Sequence, residues 1–223
     1  MSRELGPGPH TRVRRLPEKA AYDEATVHAI VDAADFCHVA AVVDGVAVAL
    51  PTLHYREGGT LYVHASKSNG ILRSCLASGF ASASVTLLDG LRVARSGFES
   101  SIAYRSAVVM GPTREVVNDD EKTHVLTAFV DAVIPGRSSE VRPMTSREVN
   151  LTLVMAIDIA EASAKVSSGP TGDDDEDAAL PIWSGTVPIR RVFLTPEPDS
   201  TGAMSSGEIP VPPSIRRLLE EQS

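Results

Sequence analysis

The segment His64-Ala65-Ser66-Lys67-Ser68-Asn69-Gly70 gathers an imidazole, two hydroxyls, an ammonium and an amide within seven residues. Such a set at the start of a helix can hold an anion, because the first backbone N–H groups point outward and the helix dipole favours negative charge there. An ordinary helix cap with an exposed lysine would use the same residues. A second concentration follows in Arg92, Arg95 and Ser96, then Ser101, Tyr104, Arg105 and Ser106. Arg95 and Arg105 can grip phosphate or ribityl oxygens, and Tyr104 offers a ring edge and a hydroxyl. A pair of surface arginines beside a strand is the plainer alternative. His54 and His64, ten residues apart, are the remaining candidates for proton transfer or for ligating a haem iron.

The bulk composition restricts what these residues can serve. A net charge of -8 argues against a general nucleic-acid binder, so an anionic ligand must meet a local positive site. Aromatics make up only 4% of the chain, which leaves the core to Val, Ala, Leu and Ile. Cys37 and Cys75 have no metal-ligand spacing and read as buried thiols in a reducing compartment. The first residues contain no apolar signal-peptide core, and no run of about 18 apolar residues occurs, so a soluble, cytoplasmic protein is expected. HExxH, paired CxxC, GxGxxG, Walker A and GxSxG patterns are absent from the sequence.

The elements that must position the candidates follow from periodicity. Residues 1–19 are Gly/Pro-rich and carry Arg12, Arg14, Arg15 and Lys19, which suggests a flexible basic arm, laid over the body or simply frayed. Helical spacing runs from Asp23 to Asp35, with Asp23 or Tyr22 at its start, and again from Ser68 to Ser78 and from Asp119 to Ile134, the last capped by Asp119 or Asn118. Strands are expected at Phe36–Val43, Val46–Tyr55, Thr60–Ala65, Phe80–Leu88 and Ile102–Val117, the last bent at Gly111-Pro112. Turns fall at Asp44-Gly45, Gly58-Gly59 and Asp89-Gly90, and an irregular polar stretch at Arg92–Ser101. Within Thr60–Ala65, period 2 sets Tyr62 and His64 on the face opposite Leu61, Val63 and Ala65. Arg147 closes a shorter helix, and Val149–Ile159 is a last strand.

Residues 167–179 read as a solvated, mobile acidic loop. Order resumes over Leu180–Leu194 around Trp183, Ser200–Ser206 is linker-like, and Ile215–Glu221 can form a short helix. The chain thus divides into an arm (1–19), one domain (20–199) and a tail (200–223). Dominant strands with peripheral helices suit a small β-barrel of the α+β kind better than a doubly wound sheet.

Read in order, HVAAVVDGVAVALPTLHY, LYVHASKSNGILRSCL, LLDGLRVARSGFESSIAYRSAVVMG and PIWSGTVPI resemble the flavin-nucleotide-binding branch of the pyridoxamine 5′-phosphate oxidase superfamily, which includes nitroimidazole-reductase-like proteins. The resemblance covers about Arg12 to Asp199 and implies an FMN-binding split barrel, active as a homodimer with flavin at the interface; FAD could replace FMN. It implies that Ser66, Lys67, Ser68 and Asn69 bind phosphate and that Pro51 and Thr52 edge the isoalloxazine. Arg95, Ser96, Ser101, Tyr104 and Arg105 would complete the site, some from the second subunit, with Trp183 packed beside the cofactor. His64 is the candidate proton donor or substrate contact. Oxidases of this superfamily place adjacent Arg and Lys at the helix start, where this chain has Lys67-Ser68-Asn69, which argues against vitamin B6 oxidation. The expected function is electron transfer from a reduced nicotinamide to a small-molecule acceptor. The alternatives are a flavin reservoir or sensor, or a deazaflavin- or haem-binding split barrel with His54 or His64 as axial ligand.

Overall fold

The computed structural model describes residues 3–199 and 209–220. The segment expected as an arm lies against the body: Leu5 is buried in the core, and its N–H donates to the Tyr22 carbonyl at 2.8 Å. A two-residue strand, β1 (Ala20–Ala21), leads into α1 (Glu24–Asp32), which Asp23 caps by accepting a hydrogen bond from the Thr26 N–H at 2.9 Å. Strands β2 (Phe36–Val43) and β3 (Val46–Glu57) form a hairpin whose turn residues both have positive φ, Asp44 at 51° and Gly45 at 79°. That is what a two-residue connection between twisted strands requires.

After β4 (Thr60–Ser66), helix α2 (Gly70–Ser78) starts at Asn69, whose side chain accepts from the Leu72 N–H at 3.0 Å. Next come β5 (Phe80–Val93), β6 (Ser101–Glu115), α3 (Asp119–Val133, capped by Asn118), α4 (Ser146–Leu151), β7 (Thr152–Asp158) and β8 (Glu161–Ser167). A single helical turn, α5 (Asp175–Ala178), strand β9 (Gly185–Pro188) and helix α6 (Pro213–Glu220) complete the described chain. The linker-like stretch 200–206 and the end of the terminal helix at Glu221 lie outside the described residues.

All the strand pairings are antiparallel, in the order β1-β8-β6-β7-β4-β3-β2-β5-β9, and β5 also pairs with β6. The second pairing closes β5, β6, β7, β4, β3 and β2 into a barrel with helices around it, the mainly β fold with peripheral helices that the strand pattern suggested. Its interior holds Val39, Leu61, Val63, Val85, Val109, Leu153, Met155 and Ile157. A second cluster lies outside the wall, where Tyr62, Val154 and Ala156 meet Val125, Leu126 and Phe129 of α3 and Val149 of α4. Strands β4 and β7 are therefore covered on both faces, and alternation sends Leu61 and Val63 inward and Tyr62 outward, as expected.

Several local expectations are corrected. Asp89-Gly90 is not a turn but a register shift inside one long β5, because Asp89 pairs across the sheet with Arg105 and Gly90 lies against β9. Arg92 consequently lies within that strand. Val149–Ile159 splits into the end of α4 and β7: Thr145 and Glu148 form a reciprocal capping box that starts a helix where β-branched content suggested a strand. Arg147 thus lies in the first turn of that helix rather than at its close. The alternating Ala162, Ala164 and Val166 form β8, a strand the periodicity reading left out. Residues 169–173 of the acidic loop are docked: Asp173 accepts from the Arg95 N–H at 2.7 Å and from its guanidinium at 2.8 Å, and the Pro170 carbonyl accepts from Arg92.

The bend expected at Gly111-Pro112 is a change of partner. Residues up to Met110 pair with β8, and those from Thr113 pair with β7. A Cβ on Gly111 would sit 1.6 Å from the Asp158 carbonyl oxygen, so only glycine lets the strands cross here. We predict that Gly111→Ala lowers the unfolding free energy by about 3 kcal/mol or more, whereas Gly59→Ala, which meets open space, changes it by less than about 0.5 kcal/mol, as read by urea denaturation.

Candidate functional site

The sequence candidates separate into two groups in one protomer. The first surrounds the β4–α2 junction. His64 lies on the outer face of β4, where α3 covers it, and its ring stands edge-on to Phe129 at 4.5 Å between centroids. A cavity of about 330 Å³ opens there, lined by His64, Leu53, Leu126, Phe129, Val130, Val133, Met144, Glu148 and Thr152. Neither ring nitrogen of His64 has a hydrogen-bond partner among the described residues, and Nδ1 is fully buried. Burial alone pushes its pKa below the ordinary histidine value, so the ring is neutral at pH 7 with an unused lone pair.

His54 is different. It points to the other side of the sheet, and its Nε2–H donates to the Val31 carbonyl at 2.8 Å. Burial lowers its pKa as well, and it serves as a tie between β3 and α1. Its Nδ1 is also buried without a partner, so the two histidines differ in that the His54 ring is tied through Nε2 to α1 while the His64 ring has no hydrogen bond among the described residues.

Thr52 reaches the first group, its hydroxyl donating to the His64 carbonyl at 3.4 Å, with Pro51 beside it on β3. The Ser66 and Ser68 hydroxyls lie 3.2 Å apart; Asn69 caps α2; Lys67 is exposed, and its carbonyl accepts from Arg73 at 3.0 Å. None of Ser66, Lys67, Ser68 and Asn69 lines the His64 cavity; β4 links them to it, Ser66 pairing with Thr152, which does.

The second group lies near the other end of β6. Tyr104 and Ser101 line a cleft of about 570 Å³ together with Arg92, Lys165, Ser100, Ser167 and, from the N-terminal segment, Arg15 and Lys19. Four cations face one carboxylate, Glu99, in this cleft. The Nε of Arg92 is buried without a partner. Arg95 and Arg105 are occupied elsewhere: Arg95 binds Asp173, and Arg105 forms a two-pronged pair with Asp89 at 2.8 and 2.9 Å. The Arg105 pairing holds the Asp89 carboxyl below the usual carboxylate range. Ser96 accepts from the Glu99 N–H and shapes the turn between β5 and β6.

Trp183 lines neither cavity; it is 64% exposed and packs its ring edge over Gly185 at the start of β9. The two groups are separated by the length of β6: its first residue, Ser101, borders the basic cleft, while its last, Glu115, pairs with Arg73 of α2 at 3.2 Å.

The sequence reading did not include Lys122 of α3, only 5% exposed, nor the apolar walls Leu126, Phe129, Val130, Val133 and Met144. The helical stripe Leu126, Phe129, Val133 was visible as a period; that it covers His64 is a contact across more than sixty positions, which no local pattern reveals.

Because its imidazole must gain a proton in an apolar site, His64 contributes stability that is present above about pH 6.5 and lost as pH falls through its lowered pKa. His64→Leu is expected to flatten the fall in urea midpoint between neutral pH and about pH 5. A fall as steep in the variant as in the parent would show that His64 does not carry it.

Comparison with known proteins agrees with this architecture. Residues 23–166 match the model of a family described as pyridoxamine 5′-phosphate oxidase. No curated protein matches the chain. Among solved structures, the flavocytochrome Anf3 from Azotobacter vinelandii is 37% identical over 95% of this chain and 97% of its own, with a TM-score of 0.87. An FAD- and haem-binding protein from Mycobacterium smegmatis is also 37% identical, over 90% of this chain and 97% of its own, with a TM-score of 0.83. A candidate 5-nitroimidazole antibiotic resistance protein from Bacteroides thetaiotaomicron shares the fold at 19% identity and a TM-score of 0.56, over 66% of this chain and 86% of its own.

Proposed function

Because the chain belongs to the pyridoxamine 5′-phosphate oxidase family, with the split-barrel fold of its flavin-binding members, we propose that it is a redox protein carrying a flavin nucleotide and a haem. The carrying observation is the neutral, unpartnered imidazole of His64 inside an apolar cavity. Apolar walls with a single soft nitrogen ligand suit a haem. The basic, hydroxyl-rich cleft suits the phosphates of a flavin nucleotide. Two relatives that match nearly the whole chain are described as a flavocytochrome and as an FAD- and haem-binding protein, which supports both halves. FAD is favoured over FMN by the second of these.

A flavin and a haem in one protein would supply the link between a two-electron donor, such as a reduced nicotinamide, and one-electron chemistry at a small acceptor. The chain's residues bind and orient. His64 would offer its lone pair to the iron, with Phe129 fixing the ring plane and Thr52 fastening the strand behind it. Arg92, Lys165, Arg15 and Lys19 would neutralise the dinucleotide's phosphates, and Tyr104 would border its ring or ribose. Leu126, Val130 and Val133 give the His64 cavity apolar walls, which would shield a bound ring from water.

We also propose a homodimer. Phe36, Phe80, Leu88, Leu91, Ile102, Leu151 and Trp183 are each at least 40% exposed, a quantity of large apolar surface that a second copy would cover. The separation of the two donor groups along β6 fits cofactors lying between two copies. Two buried, unpaired thiols, with that of Cys37 pushed up to about 12 by burial, suit the reducing cytoplasm. No helix among the described residues is long and apolar enough to cross a membrane.

A second reading puts the flavin itself in the His64 cavity, favoured by the helix-start donors two residues from His64. The freshly purified protein separates the readings. We expect a Soret band and a flavin identified by mass as FAD, with His64→Ala losing the Soret band and keeping the flavin. Loss of flavin with no Soret band in the parent would establish the second reading instead. In the parent, a spectrum with neither chromophore after cofactor supplementation would refute both. Arg92→Ala should weaken flavin retention at least about 10-fold through the loss of charge-assisted bonds, measured by equilibrium dialysis. Leu91→Asp with Ile102→Asp should shift the sedimentation coefficient from dimer to monomer; an unchanged dimer would remove that face from the interface.

A further inference from the structure

The N-terminal segment reaches the basic cleft from outside the family match, which begins at residue 23. It supplies two of the four cations there, Arg15 and Lys19; the other two, Arg92 and Lys165, belong to the barrel strands. A segment without regular structure can present charges at fixed places only if its backbone is fastened. Leu5 fastens its beginning, where the Leu5 carbonyl accepts from the Ala162 N–H at 2.9 Å, and the Tyr22 hydroxyl accepts from the Val13 N–H at 3.0 Å. At the cleft itself, the Lys165 ammonium donates to the Arg15 carbonyl at 3.1 Å. Leu16 has a φ of 55°, a left-handed conformation that a leucine holds only where its surroundings impose it, and the turn Pro17–Lys19 follows.

Between Leu5 and Val13 the segment closes on a single carboxylate. Glu161 opens β8; one of its oxygens lies 2.9 Å from His10 Nδ1, and the other accepts from the Thr11 hydroxyl at 3.3 Å. Thr11 is buried, and its hydroxyl also accepts from the Gly8 N–H at 3.0 Å. Gly8 passes so near that a Cβ there would sit 1.6 Å from a Glu161 oxygen. The contacts with His10 and Thr11 hold the Glu161 carboxyl below the usual carboxylate range, so it is ionised at neutral pH. Strand β8 runs on from Glu161 to Lys165 and Ser167, which line the cleft, whereas Glu161 does not. The clasp and the cleft are therefore two ends of one strand.

We infer that Glu161 is a positioning residue for the basic cleft: by clasping His10 and Thr11 it fixes the path of the segment that carries Arg15 and Lys19 to the phosphates of the bound ligand. The inference rests on the proposed placement of the flavin nucleotide's phosphates in that cleft. It predicts the opposite of what charge alone would give. A carboxylate near an anion site repels the ligand, so its removal should tighten binding. Removal of a clasp should loosen it.

The test uses the full chain, purified with its flavin, as the parent, Glu161→Met, Glu161→Gln, and Arg15→Ser with Lys19→Ser, the last also combined with Glu161→Met. In Glu161→Met, flavin retention in equilibrium dialysis should fall about 10-fold, and Glu161→Gln, which keeps one acceptor oxygen, should recover part of the loss. Trypsin should cut after Arg12, Arg14 and Arg15 faster in Glu161→Met than in the parent, because the segment has been released. Added to the Arg15→Ser, Lys19→Ser pair, Glu161→Met should cost less than about 2-fold further, since its effect passes through those two cations. Unchanged or tighter retention in Glu161→Met overturns the inference, as does unchanged cleavage. A loss in the combined variant as large as in Glu161→Met alone also overturns it, because the residue would then act on the fold at large. Should Glu161→Met not fold, Gly8→Ala displaces the carboxylate without changing any charge and is read in the same way. Flavin that Arg92→Ala releases and Glu161→Met leaves in place overturns this inference alone; a parent without flavin overturns the functional reading with it.

Discussion

The architecture depends on one close approach, that of Gly111 to the Asp158 carbonyl. There β6 leaves β8 and takes β7 as its neighbour, so one continuous strand serves both parts of the barrel. A side chain at that crossing would push β7 outward, and β4, hydrogen-bonded to β7 over seven residue pairs, would follow. The face of β4 that carries His64 is thus held against α3 by a contact made about fifty positions away in sequence. Closure of the barrel also fills its interior with Val, Leu, Ile and Met, leaving polar chemistry to the outer wall and the strand ends.

Two kinds of environment result on that outer wall. Beneath α3 the surroundings are apolar, and a histidine there loses its proton and its partners at once. At the far end of β6, strand and N-terminal segment contribute cations to a polar cleft. In a molecule of net charge -8, such a gathering of cations has to be local, and it is obtained by bringing Arg15 and Lys19 alongside Arg92 and Lys165. The neighbouring acidic loop meanwhile neutralises Arg95 through Asp173, and Asp89 does the same for Arg105. Arginines close in sequence therefore have unequal roles: Arg92 lines the cleft and binds the Ser167 hydroxyl and the Pro170 carbonyl, without a carboxylate partner, whereas Arg95 and Arg105 are each paired with a carboxylate.

Much of this was legible beforehand, for identifiable reasons. The Asp44-Gly45 hairpin, the Asp23 and Asn118 caps and the alternation that turns Tyr62 outward are local effects, decided by residues a few positions apart. The family resemblance carried the barrel. Asp89-Gly90 was misread because its turn-forming preference was outweighed by an ion pair across the sheet, which sequence proximity does not show. The short helix expected to close at Arg147 was misplaced, because β-branched neighbours masked the two-residue capping box that starts it at Ser146. The α3 walls were missed for the plainest reason: His64 and Tyr62 on β4 are distant from them in sequence, and only the closed barrel brings them together.

The central claim is that His64 presents a neutral nitrogen to a metal-bearing macrocycle while the flavin lies elsewhere. Anomalous X-ray diffraction at the iron edge, on crystals of the protein with its own cofactors, addresses it directly. The account predicts one iron peak per chain at bonding distance from the His64 imidazole, with flavin density in or beside the basic cleft. An iron peak away from His64, or a flavin ring filling the cavity under α3, would contradict it.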